Sequence, residues 1–452
     1  MSPDSSNFTP TVPAKKNHKF VMPGITAEAQ DFTAELLERN HEKFNIFFND
    51  RGFHNHFVHH VLTAYSLGAN TEQLQRIFDD HSSYQRQIKP VKHQLDRSNY
   101  QDHLGDLDAY SDYLAFFKAE IAAHGMVETV RRFIFSGDML ARFLGGVYHP
   151  LIHMGYAFEF NLPDICAEAL ALTACTEDNF KLLIPDLAPL QENVSVIDSA
   201  SSADKLTSQL VHSLGLSSDA SDRTRVNKEQ QNTALALLED IRNDQNLKGV
   251  VNYTDSNRFN TLRDDTEAMK RLRIYVEKWQ VQDDPKDIQA KTKDLYEAAM
   301  ILYGGAGVRG NNKIKMDFFL LHAVTGIHSL HSMLSDLTAN EAAALLQAHF
   351  AITVFYYVTS GSPNLTDISK LLNYKSSKVA EWPQNPWTKI IDLALVSEMH
   401  LIKVVRALAL GYILYASGTP MGPAWTNTAI ASLDTEGHWD RSGPGFEETW
   451  AE

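Results

Sequence analysis

Residues 54–70 read HNHFVHHVLTAYSLGAN. The apolar residues fall at three- and four-residue steps, the period of one helix face rather than of a strand. Gly68 stands where a helix C-cap is expected, because glycine enters the left-handed backbone region without a Cβ clash. Asn70 to Gln73 then gives a capping-box signal that opens TEQLQRIFDDH. Upstream, AEAQDFTAELLERNHEKFNIFF after Thr26 carries the same spacing. Downstream, helices are expected near 110–136, 138–147, 150–159, 163–176, 229–244, 265–280, 286–303, 314–336, 339–358 and 386–416. Thr338 to Glu341 is a second capping-box signal. Alternating β-branched runs closed by Asn-Gly or Asp-Gly are nearly missing. The expected class is mainly α: one large multi-helix domain over 26–435, with room for two helical lobes on a shared core. Residues 1–25 read as a polar N-terminal tail, 436–452 as a C-terminal tail, and 192–228, rich in Ser and Asp, as a mobile insertion.

The 452 residues hold 41 Lys and Arg against 56 Asp and Glu, a net charge of −15. Clustered positive charge, which nucleic acid and anionic lipid require, is not offered. Leu401–Ala416 is the most apolar run, but Lys403 and Arg406 interrupt it, so a buried helix is expected and not a membrane span. The N-terminus has no apolar leader, which makes the cytoplasm the expected compartment. Oligomeric state is left open. Two cysteines stand against nineteen histidines. Cys166 and Cys175 lie nine residues apart in one helical run, ~13 Å along the axis and beyond the ~7 Å limit of a disulfide. Four-cysteine metal designs are excluded, and imidazole is left to carry the chemistry.

Several motifs fail on context. Gly305-Ala-Gly307-Val-Arg-Gly310 matches G-x-G-x-x-G, but a helical run precedes it where a dinucleotide site needs a strand. His438-Trp-Asp440 has no later histidine to complete a facial triad. Only Glu38-x-x-His41 is available for a paired di-iron carboxylate site.

The histidine groups are stronger. In the first, His56 and His60 sit at i and i+4 and share a helix face, with His59 turned away. In the second, Tyr148-His149-Pro150-Leu-Ile-His153, Pro150 disfavours helical geometry at His149, which should open a helix or mark a kink. His322 lies in the apolar run after Asp317. His400 and Lys403, at i and i+3, share a face of the most apolar helix. A lone histidine in such a run is ordinarily a core residue bonded to a carbonyl; four such groups point to a metal, which imidazole alone does not name. Lys403 is either paired, for instance with Glu398 or Asp392, or neutralised by burial. A neutral amine adds carbon dioxide, and the resulting carbamate is an anionic oxygen ligand.

The strings HNHFVHHVLTAYSLGAN, YHPLIHMGYAFEFNLPDICAEALALTA, MDFFLLHAVTGIHSL and SEMHLIKVVRAL resemble the recurring motifs of the fungal questin oxidase-like family. The resemblance runs over about residues 30 to 416. It implies a helical fold and oxidative cleavage of an anthraquinone ring, as a dioxygenase or a Baeyer–Villiger-type reaction of secondary metabolism. It also implies non-heme Fe(II) held by histidines and a carboxylated lysine. The ligands then fall on His56, His149, His322 and His400 with Lys403. His60 and His153 are the rivals for a ligand place, and Lys375 and Lys378 the less apt positions for the modified lysine. Lys403, His153 and Tyr156 are the catalytic candidates, the tyrosine as partner to a substrate phenol. Phe318-Phe319, Phe158-Glu159-Phe160 and Phe355-Tyr356-Tyr357 are candidate cavity walls. The implied partners are an aromatic polyketide and dioxygen, with NADPH as an external reductant. Two other readings are an NADPH-dependent Baeyer–Villiger monooxygenase on the same substrate class, and a helical binding or scaffold protein with a structural metal.

Overall fold

A computed structural model describes residues 7–11, 20–186, 232–309, 313–376, 385–416 and 419–451. The whole 192–228 insertion expectation, Gly310 and Lys378 therefore lie outside the described residues. The described chain is mainly helical, and the sheet among the described residues is a two-residue pairing of Val308–Arg309 with Lys313–Ile314. Both capping boxes form: Asn70 with Gln73, and Thr338 with Glu341. Gly68 is left-handed, at φ 89°, just past the helix Phe57–Ser66.

Four helices decide where the site lies: Phe57–Ser66, His149–Phe160, Leu320–Met333 and Met399–Gly411. Each packs on the next, and the last returns to the first, so they close a ring. The tightest member pair is His149–Phe160 on Leu320–Met333. It joins chain on either side of the polar stretch, so apolar residues before and after that stretch share one core. Gly155 permits the approach, since a Cβ there would stand 2.3 Å from the Ser329 Cβ. Around the ring, Ala339–Thr359 is an almost wholly buried helix, as its apolar sequence requires.

Some boundaries differ from the sequence expectation. The run 386–416 is two helices, Trp387–Leu395 and Met399–Gly411, because the Glu398 side chain takes the N–H groups of His400 and Leu401 and starts a new helix. Helix Leu320–Met333 begins six residues later than the expected 314, since Asp317 Oδ1 accepts the N–H groups of Phe319 and Leu320. Gly125, at φ 81°, splits 110–136 into Tyr110–His124 and Met126–Ile134. Helices Arg258–Asp264 and Gly422–Asp434 were not expected. Gly305 closes a π-helical turn that continues a helix, so no strand leads into the glycine motif. Among the described residues toward the two ends of the chain, Phe8 lies against the His41 ring, and Thr449 and Trp450 are buried.

Candidate metal centre

His56, His149, His322 and His400 each offer a ring nitrogen, and the four nitrogens lie within 4.8 Å of one another. All four residues are buried. Every one sits at a helix N-terminus: His56 is the N-cap of Phe57–Ser66, His149 the first residue of its helix, His322 the third and His400 the second. Four helix dipoles thus turn their positive ends toward the cluster, which favours anionic groups there.

The rings are held by their other nitrogens. His56 Nδ1 lies 2.6 Å from the His54 carbonyl and His149 Nδ1 2.6 Å from that of Gly146. His322 Nδ1 lies 2.7 Å from the Phe318 carbonyl, and His400 Nδ1 3.0 Å from Glu398 Oε2. A carbonyl or carboxylate can only accept, so each Nδ1 carries the proton and each Nε2 is left with a lone pair. The Nε2 atoms of His322 and His400 are buried with no hydrogen-bond partner among the described residues. Those of His56 and His149 face each other at 2.8 Å. Two lone pairs at that distance repel, and a cation between the four nitrogens removes the conflict. The donor set fits a first-row metal, with oriented tautomers of the kind metal sites use. Burial, reinforced by the Lys403 charge, pushes the imidazoles of His56, His149 and His322 well below the ordinary histidine range. They are neutral, as ligands must be.

Backbone strain buys the placement of His149. Gly146, Val147 and Tyr148 all have positive φ, at 52°, 57° and 61°. A β-branched residue in that region is an outlier. The turn brings the Gly146 carbonyl under His149 Nδ1, and the expected opening of a helix at His149 is realised.

Lys403 is almost fully buried, and its Nζ has no hydrogen-bond partner among the described residues. Of the two readings of Lys403, the pairing is not made among the described residues: Glu398 instead holds His400 Nδ1 and the indole N–H of Trp439. Burial lowers the amine to about 7, against a smaller upward pull from Glu398. Lys375 is described and lies in the stretch after Ser369–Leu372.

The other candidates stand outside the four-nitrogen group. His60 turns its Nδ1 to His81 Nε2 at 3.1 Å. It does not act with His56, because His56 caps the helix at ψ 2° and is not part of its regular face. His153 has both nitrogens engaged, with His59 Nε2 at 3.2 Å and Glu168 Oε2 at 2.9 Å. Tyr156 stacks on His59 and shares a 2.6 Å hydrogen bond with Thr63 Oγ1. Phe318 lies edge-on to His322 and His400, with centroids at 5.0 and 4.9 Å. Phe319 stacks on Tyr356, one ring layer further out. Glu159 of the Phe158–Phe160 string pairs with buried Arg406. Glu398 as a holder of a ligand, and the Glu168 chain behind His153, were missed by sequence reasoning; a carboxylate two residues before His400 was the one available signal.

The family model described as questin oxidase-like matches residues 53–408. A questin oxidase of Aspergillus terreus is 28% identical, over 92% of this chain and 91% of its own. A Baeyer–Villiger oxidase of Pestalotiopsis microspora is 27% identical, over 86% of this chain and 82% of its own. An oxidoreductase of Aspergillus parasiticus is 28% identical, over 85% of this chain and 73% of its own.

Proposed function

The chain belongs to the questin oxidase-like family and is an oxidoreductase, and from that premise we propose that it is a non-heme iron oxygenase that opens a ring of an anthraquinone-type polyketide. The observation that carries this reading is the set of four buried imidazoles with fixed Nδ1 protons and converging Nε2 atoms. Ferrous iron there would supply dioxygen activation. His56, His149, His322 and His400 would hold it, and Lys403 as a carbamate would supply the anion that four neutral ligands lack. An amine lowered to about 7 is partly neutral at physiological pH, which carbon dioxide addition requires.

The remaining chemistry belongs to the protein. Four helix N-termini favour a phenolate over a phenol in the substrate. Phe318, lying against two of the imidazoles, offers an aromatic face to a flat ring system. Burial excludes water from the reacting carbonyl. NADPH, where consumed, acts as an external reductant of the quinone. The Baeyer–Villiger outcome, oxygen insertion beside the carbonyl with loss of water, has the names of several relatives behind it and uses the same residues.

The test is a metal analysis followed by oxygen-electrode assay with a chemically reduced hydroxyanthraquinone. Iron near one per chain, with oxygen uptake abolished by chelation, is expected. Full activity in metal-free protein would sink the reading. Labelled dioxygen then separates the outcomes: two labelled atoms in the product for a dioxygenase, one for a Baeyer–Villiger reaction.

A further inference from the structure

The chain from Trp439 to Ser442 turns back onto the metal centre and is tied there on both sides. The Asp440 N–H donates to the Met316 carbonyl at 2.9 Å, and the Asp440 carbonyl accepts the Phe318 N–H at 2.8 Å. The Trp439 indole donates to Glu398, the carboxylate that holds His400. Arg258 clamps the next two residues, donating at 2.6 Å to the carbonyls of Arg441 and Ser442 alike. Arg441 is thereby set over the Phe318 ring, its guanidinium carbon 4.3 Å from the centroid. Exposure falls along one line inward. Arg441 is exposed and Phe318 half-buried, while His322 and His400, against which the Phe318 ring lies, are buried. One ring layer therefore stands between a surface cation and the four-nitrogen cluster.

That cation has no ion-pair partner among the described residues, because the carboxylates around it are turned elsewhere. Asp440 takes the N–H groups of Ser442 and Gly443 and the Ser442 hydroxyl. Glu398 serves His400, Leu401 and Trp439. Asp317 Oδ1 takes the N–H groups of Phe319 and Leu320, and its Oδ2 is buried without a partner. A guanidinium lying on an aromatic ring keeps its N–H donors for oxygens, in a fork that matches carboxylate geometry. The net charge of −15 opposes an anionic ligand at long range, so a local cation beside the site has the more effect. Arg441 also lies beyond residues 53–408, which the family model matches. That suits a group that selects a substrate more than one that carries shared chemistry. We propose that Arg441 is a specificity-determining residue that binds an anionic oxygen, phenolate or carboxylate, on the outer edge of a flat aromatic substrate, a role that rests on the reading of the histidine cluster as the oxygenase site. A fused ring system that reaches the cluster past Phe318 brings its outer edge to Arg441. The charge pair then fixes which end of the ring system enters.

The experiment titrates iron-loaded protein under nitrogen with three oxidised ligands: a dihydroxyanthraquinone, its dimethyl ether and an anthraquinone carboxylate. Wild type is compared with Arg441→Gln and Arg441→Lys. In Arg441→Gln, Kd for the charged ligands should rise about tenfold, the scale of a lost charge-assisted hydrogen bond. Kd for the ether should not move. Arg441→Lys should recover part of the loss, since it keeps the charge and loses the fork. The red-shifted absorption of bound phenolate should be present in wild type and weakened in Arg441→Gln. A greater loss for the carboxylate or for the phenol tells which anion the residue takes, and either supports the assignment. Wild-type Kd for all three ligands in Arg441→Gln, or an equal loss for the ether, overturns it. Oxygen uptake with the chemically reduced ligands is read separately. Arg441-dependent binding with no uptake in wild type supports the anion subsite and overturns the oxygenase reading alone.

Discussion

Glu398 Oε2 accepts the Nδ1 proton of His400 at 3.0 Å, and the same carboxylate caps the helix that His400 enters. Its other oxygen takes the N–H of Leu401 at 2.7 Å and of the Trp439 indole at 3.0 Å. One side chain therefore fixes where the helix starts, which tautomer His400 adopts and how its ring is turned. Outer partners of this kind typically change metal affinity by about 10- to 100-fold. Glu398→Ala is expected to weaken iron binding by that factor, read by chelator competition. It should also lose about 1 kcal/mol of stability through the cap. Trp439→Phe, which removes only the brace on Glu398, should cost less on both counts. Wild-type iron affinity in Glu398→Ala would reduce the residue to a helix cap.

Gly155 faces Ser329 where the helices bearing His149 and His322 cross. In an open helix, Gly→Ala stabilises by up to about 1 kcal/mol. Here the added methyl meets Ser329 Cβ at 2.3 Å and Cα at 2.6 Å, so the sign reverses. Gly155→Ala is expected to destabilise by about 1–3 kcal/mol, as overpacked cores do. Prising the two helices apart also separates two ligands, so iron content should fall with it. Thermal unfolding and metal analysis on one preparation check both; the double variant Gly155→Ala with Ser329→Gly should recover only part of the stability and metal, because the 2.6 Å approach to the backbone Cα of residue 329 remains.

Lys403 decides whether the site carries an anion. Carbon dioxide adds to the neutral amine, with the proton released to solvent, so carbamate is favoured as pH rises through about 7. Protein purified without carbon dioxide should gain activity on addition of bicarbonate, more at pH 8 than at pH 6. Lys403→Ala should be nearly inactive and respond to a short carboxylic acid that occupies the vacated volume. Full activity in Lys403→Ala without any added acid would exclude ligation.

The helical class was legible because capping chemistry is local. Asn70 with Gln73, and Thr338 with Glu341, act within four residues and need no tertiary context. The four histidines that cluster were legible as motif members and by family resemblance, not from helical spacing. Spacing pointed to His56 with His60, and it misled because His56 is a cap and has no helical ψ. Boundaries failed where a side chain replaced a backbone partner, as Asp317 and Glu398 do. The Glu168 chain was invisible in sequence, since His41, Glu168 and His153 meet only through packing, across 127 residues in one link.

Acid should unfold the protein through its buried imidazoles, and His60 and His81 isolate the effect. His60 Nδ1 and His81 Nε2 are 3.1 Å apart, and His81 Nδ1 lies 2.8 Å from the Tyr84 hydroxyl. Burial pushes His60 down to about 4 and His81 to about 3. An unfolded histidine titrates near 6.5. Between about 6.5 and 4 the unfolded chain therefore binds protons that the folded one refuses, and stability falls as pH falls. The contribution is complete above pH 6.5 and drains away below it. Urea unfolding of chelator-treated protein at pH 7.5, 6 and 5 reads this directly, free of competition between protons and metal. His81→Gln removes one such group, so its stability should depend less steeply on pH, by close to one proton at pH 5. An unchanged slope would mean that His81 is protonated in the folded protein and donates its Nε2 proton to His60 Nδ1.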